Sequence, residues 1–191
     1  KPLNNYIDQQ LFLELTNDDL LYKKNRDKQT ENSRHGVAWN NRDGKSIDER
    51  PEPVNRREEF GHWEIDLVVG RKGTKPVILT LVERQTRKSL YVLIKNKSQK
   101  EVLQALRRLQ QRVKGDFTHV FKSITADNGS EFLDGEGMKR AAKCGEVYYA
   151  HPYSSWERGS NENGNRMLRR FLPKGTDFSK LKPKELQRIE D

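Results

Sequence analysis

Residues 61–70 read GHWEIDLVVG. An alternating opening gives way to an apolar run, the pattern of a strand entering a hydrophobic core. Asp66 interrupts that run between Ile65 and Leu67. An ionised carboxylate in such a place is costly unless a cation or hydrogen bonds compensate for it. The segment therefore predicts a core strand with a site on it. Next along the chain, KPVILTLVERQTRKSLYVLIK (75–95) supplies two more strands joined by the polar turn Arg84–Lys88. Together the three predict an antiparallel meander.

SQKEVLQALRRLQQRVK (98–114) puts Val102, Leu103, Leu106, Leu109 and Val113 on one face and charges on the other, which predicts an amphipathic helix. VFKSITADNGSEF (120–132) predicts a fourth strand, with Asp127 at its end and the Asn128–Gly129 turn after it. A short helix in LDGEGMKRAAKCG (133–145) and a fifth strand in EVYYAHP (146–152) follow. YSSWERGSNENGNRMLRRFL (153–172) then passes from small polar residues to Met167, Leu168, Phe171 and Leu172 at helical spacing. That predicts a mobile polar loop feeding a basic helix, with Glu162 in its first turn. The expected order is β-β-β-α-β-α-β-α, an α/β fold around a mixed five-stranded sheet.

The chain has 191 residues, enough for one domain with an appendage. Only 32% of residues are hydrophobic and 34% are charged, so part of the chain is expected to lie outside the core. Tyr6–Tyr22 carries an amphipathic pattern, whereas Lys23–Pro53 nearly lacks apolar residues and reads as a linker or basic arm. ERPEPVNRREE (49–59) contains two prolines that predict an extended approach to the domain. The expected divisions are an arm at 1–53, a folded core at 54–178 and a truncated extension at 179–191. The opening at Lys1 and the charged end KPKELQRIED suggest a fragment of a longer protein. A net charge of +9 points to a polyanion, and counterion release makes nucleic acid the natural partner. The single cysteine, Cys144, excludes an intramolecular disulfide and a cysteine-cage zinc site. No apolar run approaches the roughly 20 residues that cross a bilayer, so a soluble cytoplasmic protein with no membrane partner is expected.

Asp66 and Asp127 would face each other if the first and fourth strands are neighbours, and Glu162 would close a triangle from its helix. Oxygen-only ligands of this kind suit Mg²⁺ or Mn²⁺. Two such ions about 3.5–4 Å apart activate an attacking hydroxyl and stabilise a leaving phosphodiester oxygen. Glu162 also fits a plain helix N-terminus, where negative charge is favoured. Glu64 and Glu157 are alternative carboxylates close by, the first a candidate rim salt bridge and the second a loop or substrate residue.

The motifs SIDERP (46–51), GHWEIDLVVG, TLVERQTR (80–87), ITADNGSEF (124–132) and YYAHPYSSWERGSNENGNRMLRRFLPKGTDF (148–178) together resemble the IS-thirty family of bacterial insertion-sequence transposases. The resemblance implies a ribonuclease H-like catalytic core akin to that of retroviral integrases. By motif match, an Asp–Asp–Glu triad falls on Asp66, Asp127 and Glu162, which would hold Mg²⁺ or Mn²⁺. The implied reaction is metal-dependent cleavage at transposon ends, followed by transfer of the freed 3′-hydroxyl into target DNA. A homodimer or higher multimer pairing two DNA ends is implied as well, in a nucleoid-associated setting. Alternative readings are a ribonuclease H-type nuclease without strand transfer and a catalytically silent, domesticated DNA-binding protein.

Around Glu162, Arg158, Arg166, Arg169, Arg170 and Lys174 are candidates for phosphate contacts, or equally the solvated face of a helix. Trp156, in the polar loop, is a candidate for stacking on an unpaired base. Trp63 reads as core, Asn128 as a turn residue and His62 and His151 as structural.

Overall fold

The computed structural model describes residues 44–112, 117–152 and 154–190. The amphipathic segment within Tyr6–Tyr22, the arm as far as residue 43, Val113 and Tyr153 lie outside the described residues. Six strands form one mixed sheet: β1 (Lys45–Ser46), β2 (His62–Val69), β3 (Val77–Glu83), β4 (Ser89–Ile94), β5 (Ser123–Ala126) and β6 (Glu146–Tyr149). Their spatial order is β1-β6-β5-β2-β3-β4. The expected meander is present, β3 running antiparallel to both β2 and β4. β5 runs parallel to β2, and β6 parallel to β5. All five expected strands form, and β1 adds a two-residue edge.

Helices cover both faces. The main ones are α1 (Glu52–Asn55), α2 (Gln99–Arg112), α3 (Phe117–Val120), α4 (Gly135–Ala142), α5 (Gly159–Phe171) and α6 (Pro183–Glu190). The larger core joins Ile65, Leu79, Leu81 and Val92 to Val102, Leu106 and Leu109 of α2 and Met138 of α4. The smaller joins Val68, Ile78 and Tyr91 to Leu168, Leu172, Phe178 and Leu186. Because side chains alternate along a strand, Glu64, Asp66 and Val68 share the smaller-core face, which α5 covers. β3 is buried along its whole length. This two-sided cover explains why its sequence, VILTLVE, is almost continuously apolar.

Three segments depart from the expectation. Lys45–Ser46 pairs with β6, and Ile47, Arg50 and Val54 are buried, so residues 44–53 build the sheet edge and do not act as a tether. Polar contacts do much of that anchoring: Arg50 donates to Asn55 Oδ1 at 2.7 Å and to Thr125 Oγ1 at 3.3 Å. Composition therefore conceals it. The prolines do not enforce extension, because Pro51 caps α1 and Pro53 lies in its first turn, where a missing N–H is harmless. Residues 183–190 form α6, whose Leu186 seals the smaller core while Glu190 accepts from Tyr91 N at 2.6 Å.

Candidate active site

The β2–β5 register pairs His62 with Ser123, Trp63 with Ile124 and Glu64 with Thr125. Continued by two residues, it sets Asp66 level with Asp127 on the same face. Each carboxylate is oriented by backbone: Asp66 Oδ1 accepts from Leu67 N and Asp127 Oδ1 from Gly129 N, both at 2.8 Å. Asp66 Oδ2 accepts from Asn165 Nδ2 at 2.8 Å. Arg158 spans the pair, donating from Nη2 to Asp127 Oδ2 at 3.1 Å with Nη1 3.8 Å from Asp66 Oδ1. Burial raises the Asp66 pKa above its ordinary value; Arg158 opposes that shift, and the Asp127 charge adds to it.

Glu162 is exposed in the first turn of α5. Its neighbours are firmly tied: Asn161 N donates to Glu64 Oε2 at 2.9 Å, and Asn165 reaches both Asp66 and Thr80. Residues three apart on a helix share a face, so Glu162 lies on the side of α5 that Asn165 fastens to β2. Among the described residues, no three Asp, Glu, His or Cys side chains are grouped as a metal would need. The two aspartates are brought together by Arg158, and Glu162 lies on the helix that Asn165 ties to Asp66. The aspartates offer oxygen donors only, and they already attract a cation in Arg158, so the donor set suits Mg²⁺ or Mn²⁺.

The alternative carboxylates have other work. Glu64 is fully buried in an ion pair with Arg84 and is not at the rim. The Arg84 guanidinium also donates to Val54 O and Asn55 O, so one buried pair ties together β2, the loop after β3, α1 and the start of α5. Glu157 accepts from His151, from its N at 2.8 Å and with the ring Nδ1 at 2.7 Å. Asp48 lies 3.0 Å from the other ring nitrogen. His62 is buried between Ser123 and Glu59, and burial lowers its pKa. Asn128 Nδ2 donates to Ala150 O at 2.8 Å, a loop-fixing role. Trp63 is core and stacks on Phe121.

Of the candidate DNA contacts, Trp156 is 73% exposed. Arg166, Arg170 and Lys174 are exposed too. Arg158 instead faces the aspartates, and Arg169 turns back to donate to Val69 O at 2.7 Å. Sequence reasoning missed Asn165 and Arg84. Asn165 had a signal, standing three residues after Glu162 in the polar run ENGN. Arg84 looked like an ordinary turn residue.

Residues 56–154 match the integrase core domain family. The chain is 47% identical over 139 residues to a probable transposase for insertion-like sequence element IS1161 of Streptococcus salivarius, covering 72% of this chain and 38% of that protein. It is 40% identical over 152 residues to the transposase for insertion sequence element IS4351 of Bacteroides fragilis, covering 76% and 43%. It is 34% identical over 147 residues to transposase InsI for insertion sequence element IS30A of Escherichia coli K12, covering 76% and 37%. The chain thus spans less than half the length of these relatives. Among solved structures, the catalytic core domain of BIV integrase superposes with a TM-score of 0.50 at 18% identity, covering 68% of this chain and 80% of that one. A simian T-cell lymphotropic virus intasome bound to PP2A regulatory subunit B56 gamma gives 0.52 at 18%, covering 69% and 47%. These likenesses establish the fold, the ribonuclease H-like one of retroviral integrase cores.

Proposed function

The chain belongs to the integrase core domain family, and from that membership and the paired aspartates we propose that it is the catalytic core of an insertion-sequence transposase. It would cut phosphodiester bonds at element ends and join them to target DNA. One observation carries the reading: the β2–β5 register sets Asp66 level with Asp127, and Asn165 of the helix that bears Glu162 hydrogen-bonds Asp66.

Asp66, Asp127 and Glu162 are the residues that would hold divalent cations, which supply activation of the attacking hydroxyl and stabilisation of the leaving oxygen. The chain's own part is positioning. Leu67 N, Gly129 N and Asn165 aim the aspartate oxygens before substrate arrives, so little reorganisation is left for the reaction. Arg166, Arg170 and Lys174 would track the phosphate backbone, and Trp156 would stack on a base freed near the cut. Two copies would pair two ends, in the bacterial cytoplasm on the nucleoid. Among the described residues no helix is long and apolar enough to cross a membrane.

The test is a joining reaction with Mg²⁺ or Mn²⁺, a pre-cut duplex carrying the element's terminal repeat, and a plasmid target. The proposal expects joined product from the wild-type chain and none from Asp66→Asn, with DNA affinity retained. Cutting of RNA–DNA hybrids without joining would instead assign a nuclease. DNA binding with no cutting by the full-length protein would assign a silent binding protein.

A further inference from the structure

The Arg158 guanidinium is turned away from solvent, its side chain 13% exposed. Nη2 donates to Asp127 Oδ2 at 3.1 Å, and Nη1 donates to Ile65 O at 3.3 Å while lying 3.8 Å from Asp66 Oδ1. Nε is buried without a hydrogen-bond partner among the described residues. A side chain placed for its hydrogen bonds alone would not orphan a donor, so charge holds it there. The remaining aspartate oxygens have other partners: Asp66 Oδ2 receives Asn165, and Asp127 Oδ1 receives Gly129 N. Of the two oxygens that Arg158 addresses, Asp66 Oδ1 also accepts from Leu67 N at 2.8 Å, whereas Asp127 Oδ2 takes its hydrogen bond from Arg158. A carboxylate oxygen has two lone pairs, so both can still face a cation between the strands.

We propose that Arg158 is an internal counter-cation: its guanidinium bridges Asp66 and Asp127 and competes with a divalent cation for the same carboxylates. The proposal rests on the reading of these aspartates as metal ligands. Two partly buried carboxylates side by side repel each other, and the guanidinium offsets that repulsion before loading. Asp66 and Asp127 would hold a divalent cation of twice the guanidinium's charge, and Arg158 would then give up its contacts with them. The released fork suits a phosphate, which links cation loading to DNA capture. Arg158 ends the 3-10 turn Ser155–Arg158, and Gly159, at the start of α5, has open space where a side chain would project.

Mn²⁺ binding to the DNA-free chain tests this, read by electron paramagnetic resonance on wild type, Arg158→Gln, Arg158→Ala, Arg158→Lys and Asp66→Asn. A charge a few ångströms from a carboxylate shifts its affinity for a cation by about tenfold or more. Arg158→Gln and Arg158→Ala should therefore bind Mn²⁺ roughly tenfold tighter than wild type, with Arg158→Lys near wild type. Both neutral variants should melt lower in EDTA and recover with Mn²⁺, a pattern that simple loss of structure does not give. Unchanged or weaker Mn²⁺ binding by variants with native circular dichroism would overturn the counter-cation role alone, provided Asp66→Asn abolishes binding. Wild-type Mn²⁺ binding that survives Asp66→Asn, or is absent altogether, would overturn the metal-site reading and this role together.

Discussion

Asn165 Nδ2 donates to Asp66 Oδ2 at 2.8 Å, while Asn165 Oδ1 accepts from Thr80 Oγ1 at 3.1 Å. One side chain thus ties α5 to two adjacent strands, three residues beyond Glu162. Groups that orient a metal-binding carboxylate typically contribute roughly 10–100-fold to activity or affinity. Asn165→Ala should lower end joining by about that factor while leaving DNA binding in place. Equal joining rates for variant and wild type would show that Asp66 needs no such support.

Glu64 and Arg84 form a buried ion pair, and removing one partner leaves an uncompensated charge. Arg84→Ala should cost about 3–5 kcal/mol in urea denaturation. Arg84→Ala combined with Glu64→Gln should cost less than the single change, since the stranded charge is gone. A double variant as unstable as the single one would contradict this account of the pair.

Gly164 lies mid-helix, where glycine is about 1 kcal/mol worse than alanine, so its presence needs a reason. A Cβ there would stand 2.5 Å from Val82 Cγ2, and the glycine lets α5 settle against β3. Gly164→Ala should destabilise by about 1–3 kcal/mol through overpacking. The cost should shrink in a Val82→Ala background, and identical costs in both backgrounds would point elsewhere.

His151 lies between two carboxylates, and its pKa is raised above the ordinary 6.5, first by the hydrogen bond with Glu157 and further by Asp48. The protonated ring therefore stabilises the fold. That contribution is complete below pH 6.5 and fades as the pH climbs through the raised value. The Tm difference between wild type and His151→Gln should be largest in acid and shrink toward alkaline pH. His62, whose pKa burial lowers, acts oppositely and loses stability as pH falls below 6.5, so the difference between variants is the informative quantity. A gap that is constant with pH would rule out the proposed ionic contacts.

Much of this arrangement is legible from residue order. Asp66, a lone acid in an apolar strand, and Asp127, at the end of ITAD, announce themselves because period-two patterning fixes both strand and face. Their adjacency depends on β5 pairing with β2, which strand patterns suggest but cannot fix. Glu64 illustrates the limit: the same face holds Glu64 and Asp66, and only the approach of Arg84 separates a structural acid from one open to a cation. Arg158 shows it again, since composition reads every arginine near Glu162 as outward-facing. The edge strand Lys45–Ser46 was hidden because polar contacts, which leave no hydrophobic pattern, anchor much of it.

The most direct test of the central claim is metal-dependent nicking and joining of a labelled transposon-end duplex by wild type and Glu162→Gln. Glu162 is exposed, so the exchange should leave the fold and DNA affinity intact. If Asp66, Asp127 and Glu162 act as one site, the variant loses both nicking and joining by at least about a hundredfold, because single members of a unit cost nearly as much as all of it. Near wild-type activity in Glu162→Gln would contradict the assignment and leave the paired aspartates without their third member.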